Sequence, residues 1–424
     1  MKPKKILKKL REKSFRGSVT IVGAGAAGLY AGWLLRQLNI PFQILEASAV
    51  YGGRLAKLEG FADYPIDLGA QWLHGKKSIA GKWVKEQGAK IKADRSKEQF
   101  WMNGSLSKKP PFDFGLFEED DLPDISFTQH AREQGLGPEY DGILTALAGD
   151  LGASPDKLSA YYNVLEFEDW RSGDTDYKFR DTFFDLVDRQ LFAEVRDFIR
   201  YNSPVTHISY GDEGVVLTDS SGFTYQTDTV ILTVPVTILQ SGDIRFSPEL
   251  PFSKTQAFSK LGMEPAIKVF LKFRERFYAA NTFGGSTCAA YIDEQYGKQG
   301  STPVLLAYLM GDQAENIAAL DSDEAMISAL LTELDTMYDG KATPLFEDAH
   351  IQNWTAHPWI RGGYSYSTCG MANARFIAAR PLANRLYFAG EAMNTRGHHQ
   401  SVHGALESSL EAVRAMIRHA STKT

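Results

Sequence analysis

The most regular pattern along the chain opens at Ser18. Val19-Thr-Ile-Val22 is a β-branched run, Gly23-Ala-Gly-Ala-Ala-Gly28 follows, and residues 29–38 then carry apolar positions at helical spacing. Pro41-Phe-Gln-Ile-Leu-Glu46 reads as the next strand, giving a strand–helix–strand unit. Residues 76–200 differ: aromatic, charged and helix-rich, with Pro110-Pro111 and the acidic run 118–121 in a loop. Alternation returns near Tyr201. Segments beginning at Val205, Gly214 and Phe223 predict an antiparallel meander, with turns at Gly211-Asp212 and Ser221-Gly222. The run from Thr229 is a buried strand stopped by Pro235. Ala266–Phe273 predicts a further strand, residues 322–337 a helix, Leu386–Ala389 a strand and residues 403–419 an Ala-rich helix.

The chain has 424 residues, too many for one ordinary core and suited to two domains. With 43% hydrophobic and 23% charged residues it has a globular balance, and a net charge of −6 argues against a general nucleic-acid binder. Only two cysteines occur, Cys288 and Cys369, which excludes a disulfide framework and a cysteine-rich metal site and fits a cytoplasmic location. Residues 1–17 are basic but lack the apolar run of a secretory signal, and read as a solvated tail or a membrane-surface or partner contact. No stretch approaches the about 20 apolar residues of a membrane span.

Gly23, Gly25 and Gly28 form G-x-G-x-x-G between a strand and a helix that begins with Ala26 and Ala27. The first glycine permits a tight turn, the second lets backbone approach a pyrophosphate, and the third lets helix pack on strand. The helix N-terminus offers free N–H groups and a positive dipole end to phosphates. Glu46, ending the second strand, is spaced to hold ribose hydroxyls and disfavours a 2′-phosphate, leaving NAD or FAD. Gly52-Gly53-Arg54 favours FAD, through close backbone approach and a cation near the pyrophosphate.

Through these and further motifs the sequence resembles the flavin-containing amine oxidase family, which includes monoamine, polyamine and L-amino-acid oxidases and lysine-specific histone demethylases. The resemblance runs in order through Gly23 to Gly28, Glu46, Gly52 to Arg54, Asp67-Leu-Gly-Ala-Gln-Trp-Leu-His-Gly75, Thr233-Val-Pro235, Lys268, Trp354 to Tyr366, Phe388 to Glu391 and Ser401 to Ala405. It implies an α/β fold: a Rossmann-like FAD-binding domain (GR2-type) interleaved with a substrate domain of mixed sheet plus helices. The expected boundaries are 18–75, 201–245 and 355–420 for FAD, and 76–200 and 246–354 for substrate. It also implies that Gly69, Ala70, Gln71 and Trp72 line the flavin ring and that Val205 pairs with adenine. Gly390 and Glu391 would hold the ribityl–phosphate region, with Ser401 and Val402 under the flavin at a helix start.

The implied reaction passes hydride from the carbon next to nitrogen to flavin N5, after which the imine hydrolyses and oxygen is reduced to hydrogen peroxide. The partners are then a small amine and molecular oxygen. Lys268 lies in a strand among apolar neighbours, an unusual place for an ammonium, where the family carries a lysine linked through water to flavin N5. Trp354, Trp359 and Tyr364 recur every fifth residue in a Pro- and Gly-containing loop and can steer an amine with their faces. His74 resembles a substrate-tunnel histidine of animal polyamine oxidases. Glu168 and Asp169 match acidic tunnel-mouth residues in rough location, but a solvated loop is the better reading there. Monoamine oxidases place a second cage tyrosine where Ser401 stands, and a flavin-linking cysteine near Tyr364. Cys369 lies beyond that point, so non-covalent FAD is expected. An L-amino-acid oxidase, the alternative enzyme reading, usually carries an arginine where Ala56 stands, beside Lys57, though another arginine could substitute, and a histone demethylase has a long helical insertion for which there is no room. A flavoprotein kept as a regulatory module is the non-catalytic alternative.

Overall fold

The computed structural model describes residue 10, residues 15–119 and residues 121–421. The expected basic tail therefore falls largely outside the described residues. Val19–Val22 sits at the centre of a five-stranded parallel sheet ordered 199–200, 42–45, 19–22, 229–232, 386–388. Every residue of the two central strands, Val19–Val22 and Thr229–Leu232, is buried, which is why both read as continuous β-branched runs. Helices Ala26–Gln37 and Val402–Ser421 pack on each other over one face. The predicted meander, Val205–Gly211, Gly214–Asp219 and Thr224–Thr227, joins Arg245–Ser247 in a second sheet that closes the other face.

The third glycine of the turn is dictated by packing. A Cβ on Gly28 would lie 1.9 Å from the Gly23 carbonyl oxygen, and Gly23 itself has φ +105, open only to glycine.

A seven-stranded sheet forms the other half, ordered 346–353, 266–273, 304–310, 290–293, 281–283, 98–102, 105–107. Its alternation splits Ala266–Phe273 between two environments. Ile267, Val269, Leu271 and Phe273 pack against Leu330 and Leu334 of helix Asp323–Met337. Ala266 and Phe270 turn the opposite way, toward Ile66, Leu68 and Trp354. Lys268 shares that second face. The strand is interior to the sheet, between 346–353 and 304–310, so its lysine has no edge route to solvent.

Three stretches expected in the substrate domain share cores with the parallel sheet. Residues 79–87 and 179–200 do not belong with the seven-stranded sheet. Trp83, Phe183, Leu186, Leu191 and Val195 share a core with Ile21, Leu35 and Ile44, and Ile199–Arg200 pairs with the strand of Ile44. Phe258 and Leu261 likewise pack with Val22 and Phe388 on the nucleotide side. Short helices with one apolar face can dock on either domain, and their spacing in sequence does not say which. The segment expected to be helix-rich also supplies strands Ile91–Ala93 and Asp176–Phe179, which pair with each other and, through Asp176–Phe179, with Trp72–His74. Among the described residues no helix is long and apolar enough to cross a membrane.

Replacing Gly28 by alanine is expected to cost about 3 kcal/mol or more, since a backbone carbonyl cannot rotate out of the way. Gly60 has φ +82, and nothing lies within 4 Å of the point its Cβ would occupy, so Gly60→Ala meets only the left-handed backbone penalty, about 1–2 kcal/mol. Urea-unfolding midpoints compare the two, and a Gly28 variant no worse than the Gly60 variant contradicts the packing role.

Candidate flavin and amine site

A cavity of about 770 Å³ runs between the parallel sheet and the seven-stranded sheet. Its nucleotide end is built on the glycine turn. Helix Ala26–Gln37 starts at Gly25 with no side-chain cap, leaving first-turn N–H groups to a ligand, and Ala26 and Ala27 line the cavity. Gly25 has an ordinary φ of −75, and the protein atom nearest to an added Cβ would be 3.8 Å away. Neither backbone strain nor protein packing explains the missing side chain. What it makes room for lies in the cavity.

Glu46 reaches the same end, where its carboxylate accepts from Ala24 N–H at 2.6 Å and Ser48 N–H at 2.9 Å. Gly53, Val205 and Gly390 complete that wall, Gly390 with φ +128. Arg54 donates from one nitrogen to Glu391 at 2.9 Å and to the Gly363 carbonyl at 2.7 Å, leaving its other donors free among the described residues. Glu391 is turned inward, accepting also from Ser365 Oγ at 2.7 Å and Gln400 N–H at 3.0 Å. Its carboxyl titrates below the ordinary range: burial opposes ionisation, and Arg54, Ser365 and Arg375 overcome it. Glu391 thus holds Arg54 and two loops. Ser401 caps the last helix by accepting from Gly404 N–H at 3.0 Å, and with Val402 it lines the cavity.

The inner wall centres on Lys268, which is 5% exposed. Its Nζ donates to the Gly69 carbonyl at 2.6 Å and to Gln71 Oε1 at 2.5 Å, with the Trp72 ring centroid 5.9 Å away. Burial is the largest influence on this amine and lowers its pKa to about 8, against the pull of Glu294 and Asp67. On adjacent strands its register partners are Tyr308 and Gln352, and both also line the cavity. Tyr308 and Tyr364 share a 2.7 Å hydrogen bond, and Tyr364 donates to the Asp150 carbonyl at 2.9 Å. Trp354 is fixed by donating from Nε1 to the Leu68 carbonyl at 3.0 Å, and Trp359 and Ala70 face the same space.

The third region carries negative charge. Asp150 and Asp176 both line the cavity, and Asp176 accepts from His74 Nδ1 at 2.9 Å in the tautomer that carries a proton there. Burial works against a His74 imidazolium, but Asp176 and Asp150 leave its pKa above the ordinary value. Asp150 is raised, first by enclosure and then by Asp176. Phe167, Trp170 and His399 form the wall beside them. Burial and the Arg375 guanidinium push His399 down to about 4, so it is a neutral ring with no hydrogen-bond partner on either nitrogen.

Every residue expected at the site lines this one cavity except Gly28, whose part is helix packing. Glu168 and Asp169 are exposed and outside the lining, a solvated loop in which Asp169 pairs with Arg171. Tyr308, Gln352, Asp150, Asp176, Phe167, Trp170 and His399 were not foreseen. Tyr308 had a signal, a lone hydroxyl in the apolar run Val304–Met310, whereas Asp150 at a helix end had none.

Residues 178–417 match the profile described as flavin containing amine oxidoreductase, and residues 21–85 that of an NAD(P)-binding Rossmann-like domain. The first match spans more than half of the chain, which belongs to the flavin-containing amine oxidase family: FAD-dependent oxidoreductases acting on amines. The chain is 27% identical to polyamine oxidase 4 of Oryza sativa subsp. japonica, across 93% of this chain and 87% of that protein. It is 26% identical to lysine-specific histone demethylase 2 of Homo sapiens across 93% of its own residues, and spans only 52% of that relative. Cyclohexylamine oxidase from Brevibacterium oxydans shares the fold at TM-score 0.80 and 19% identity, covering 95% of this chain and 99% of that one. Wild-type putrescine oxidase bound to putrescine does so with the same four values.

The uncapped helix start, the unexplained Gly25 and the free donors of Arg54 fit the phosphates of FAD. Glu391→Gln removes the charge that holds Arg54 in place. FAD affinity is expected to fall about 10- to 100-fold, the equivalent of losing one charged hydrogen bond. Fluorescence of released flavin measures it, and unchanged affinity rules the role out.

Proposed function

We propose that this chain oxidises diamines or polyamines, with non-covalent FAD, oxygen as electron acceptor and hydrogen peroxide as product. The observation that carries the reading is the Asp150, Asp176 and His74 group, which lines the same cavity as Lys268. A substrate with two nitrogens can leave one charged against these carboxylates while presenting the other to the inner wall. The names of polyamine oxidase 4 and of putrescine oxidase point the same way. Neither Cys288 nor Cys369 lines the cavity, which supports non-covalent attachment.

Bound FAD supplies the hydride acceptor. The residues supply placement and charge. Trp72, Tyr308, Trp354 and Tyr364 form apolar faces about the inner end, which exclude water from a methylene chain. Lys268 keeps one position on Nζ toward the cavity, its other bonds being directed at Gly69 and Gln71. Among the described lining residues the lysines and arginines are Arg54 and Lys268, and Ala56 stands where a carboxylate-binding arginine would be needed. An amino-acid carboxylate therefore lacks an arginine at that position.

Anaerobic mixing with putrescine, spermidine, spermine, benzylamine and L-amino acids tests the reading through flavin bleaching. Diamines or polyamines are expected to bleach fastest. Asp150→Asn and Asp176→Asn should each weaken their binding about 10- to 100-fold, with little effect on benzylamine. Preference for benzylamine or an amino acid, or diamine binding indifferent to both variants, overturns the proposal. Lys268→Met should retain FAD yet slow reoxidation by oxygen in stopped-flow, and an unchanged rate removes Lys268 from that step.

A further inference from the structure

Behind Lys268 a buried polar chain leads away from the cavity. Gln71 accepts from Lys268 at Oε1, 2.5 Å, and donates from Nε2 to Glu294 Oε2 at 3.2 Å. Lys178 Nζ approaches the same carboxylate oxygen at 3.4 Å and donates to the Asp293 carbonyl at 3.1 Å. Gln71, Lys178 and Glu294 are 3%, 2% and 0% exposed, and Glu294 Oε1 has no hydrogen-bond partner. Two buried charges at one site carry a desolvation cost that packing alone does not repay. Glu294 and Lys178 do not line the cavity, so ligand contact does not account for them.

The chain has a fixed direction. An ionised carboxylate only accepts hydrogen bonds, so the side of Gln71 facing Glu294 must be its NH₂ group. The amide oxygen then faces Lys268 and requires an N–H from it. With another N–H given to the Gly69 carbonyl, one position on Nζ is left toward the cavity. That position holds a proton in the ammonium and a lone pair in the neutral amine.

We propose that Glu294 is a positioning residue for Lys268: acting through Gln71, it fixes which way the amine points and sets the pH at which its cavity-facing position switches from donor to acceptor. The proposal rests on the reading that this cavity holds flavin beside Lys268. The charges acting on that amine are Glu294 and Asp67, which favour the ammonium, and Lys178 and Lys298, which oppose it. Asp67 is itself engaged by Phe183 N–H at 3.0 Å and lies 3.9 Å from Lys298. The flanking side chains on the sheet, Tyr308 and Gln352, carry no charge. Removing Glu294 therefore moves the switch to lower pH, and removing Lys178 moves it to higher pH.

The test is a pH titration of the visible flavin spectrum in the FAD-loaded protein, with reoxidation rates followed in parallel. A transition is expected in the wild type and absent in Lys268→Met. Glu294→Gln should shift it down by about 1 unit or more, and Lys178→Met up. Gln71→Leu keeps both buried charges but breaks the link, and should also shift it down. It stands in if Glu294→Gln does not fold. Unchanged midpoints in the folded variants, shifts of the same sign for Glu294→Gln and Lys178→Met, or a transition that survives Lys268→Met overturn the proposal. The spectral titration needs only bound flavin. Failure of every amine to reduce that flavin sinks the diamine reading without touching this one.

Discussion

An amine buried inside a sheet is costly unless its hydrogen-bonding groups and charge are answered by protein, and the seam between the two halves is arranged around that constraint. Lys268 lies on the cavity face of an interior strand, so its partners must come from across the seam. They come from one segment, residues 67–72. Its Gly69 carbonyl and Gln71 amide take the two N–H groups. The segment is pinned in turn: Asp67 accepts from Phe183 and Phe184 N–H, and the Leu68 carbonyl accepts from Trp354. A Cβ on Gly69 would meet the Arg54 carbonyl oxygen at 1.9 Å, so the segment also lies tight on the nucleotide side. One peptide stretch thereby touches the lysine, the aromatic wall and the cofactor-binding turn together.

What could be read in advance follows from how local each signal is. The turn at Gly23 to Gly28 is written in consecutive residues, because strand, turn and helix are neighbours in the chain. Lys268 is legible for a related reason: a lysine in the run Ala-Ile-Lys-Val-Phe-Leu contradicts its surroundings wherever the strand is placed. Ile199–Arg200 was not legible, since a two-residue strand is defined by its partner and not by periodicity. Asp150, Asp176 and Glu294 stand apart by more than 140 positions at the extremes and gain meaning only once the sheets face each other. Glu168 and Asp169 show the converse. Acidic residues at about the right place in sequence turn outward, while Phe167 and Trp170 beside them face the cavity.

The buried arginine network extends the same economy to the helix bearing Phe167. Arg375, 1% exposed, holds Glu166 through Nε at 2.5 Å and another nitrogen at 2.8 Å. Its remaining nitrogen donates to Ser365 Oγ at 3.0 Å, and that hydroxyl donates to Glu391. Glu391 meets Arg54 at the cofactor end. A chain of charge-assisted bonds thus links the cofactor cradle to the helix that ends at Phe167 in the cavity wall. Burial forces each member to keep its partner, so neither end can be displaced alone.

Charge is distributed unevenly along the cavity, and on the proposed diamine reading this bears on which nitrogen reacts. Lys268 is a cation below its pKa of about 8, and Asp150 and Asp176 line the region beside His74. Two like charges about 6 Å apart at an effective dielectric of about 20 repel by about 3 kcal/mol. That corresponds to about 2 pK units, which eases loss of a proton from an ammonium brought near Lys268. On the diamine reading, Asp150 and Asp176 act oppositely on the other nitrogen and hold it charged. Hydride can leave the carbon beside a nitrogen only when that nitrogen's lone pair is free to form the imine. On this reading the same field that draws a dication into the cavity selects its inner nitrogen for oxidation, without any contact that distinguishes the two ends by shape.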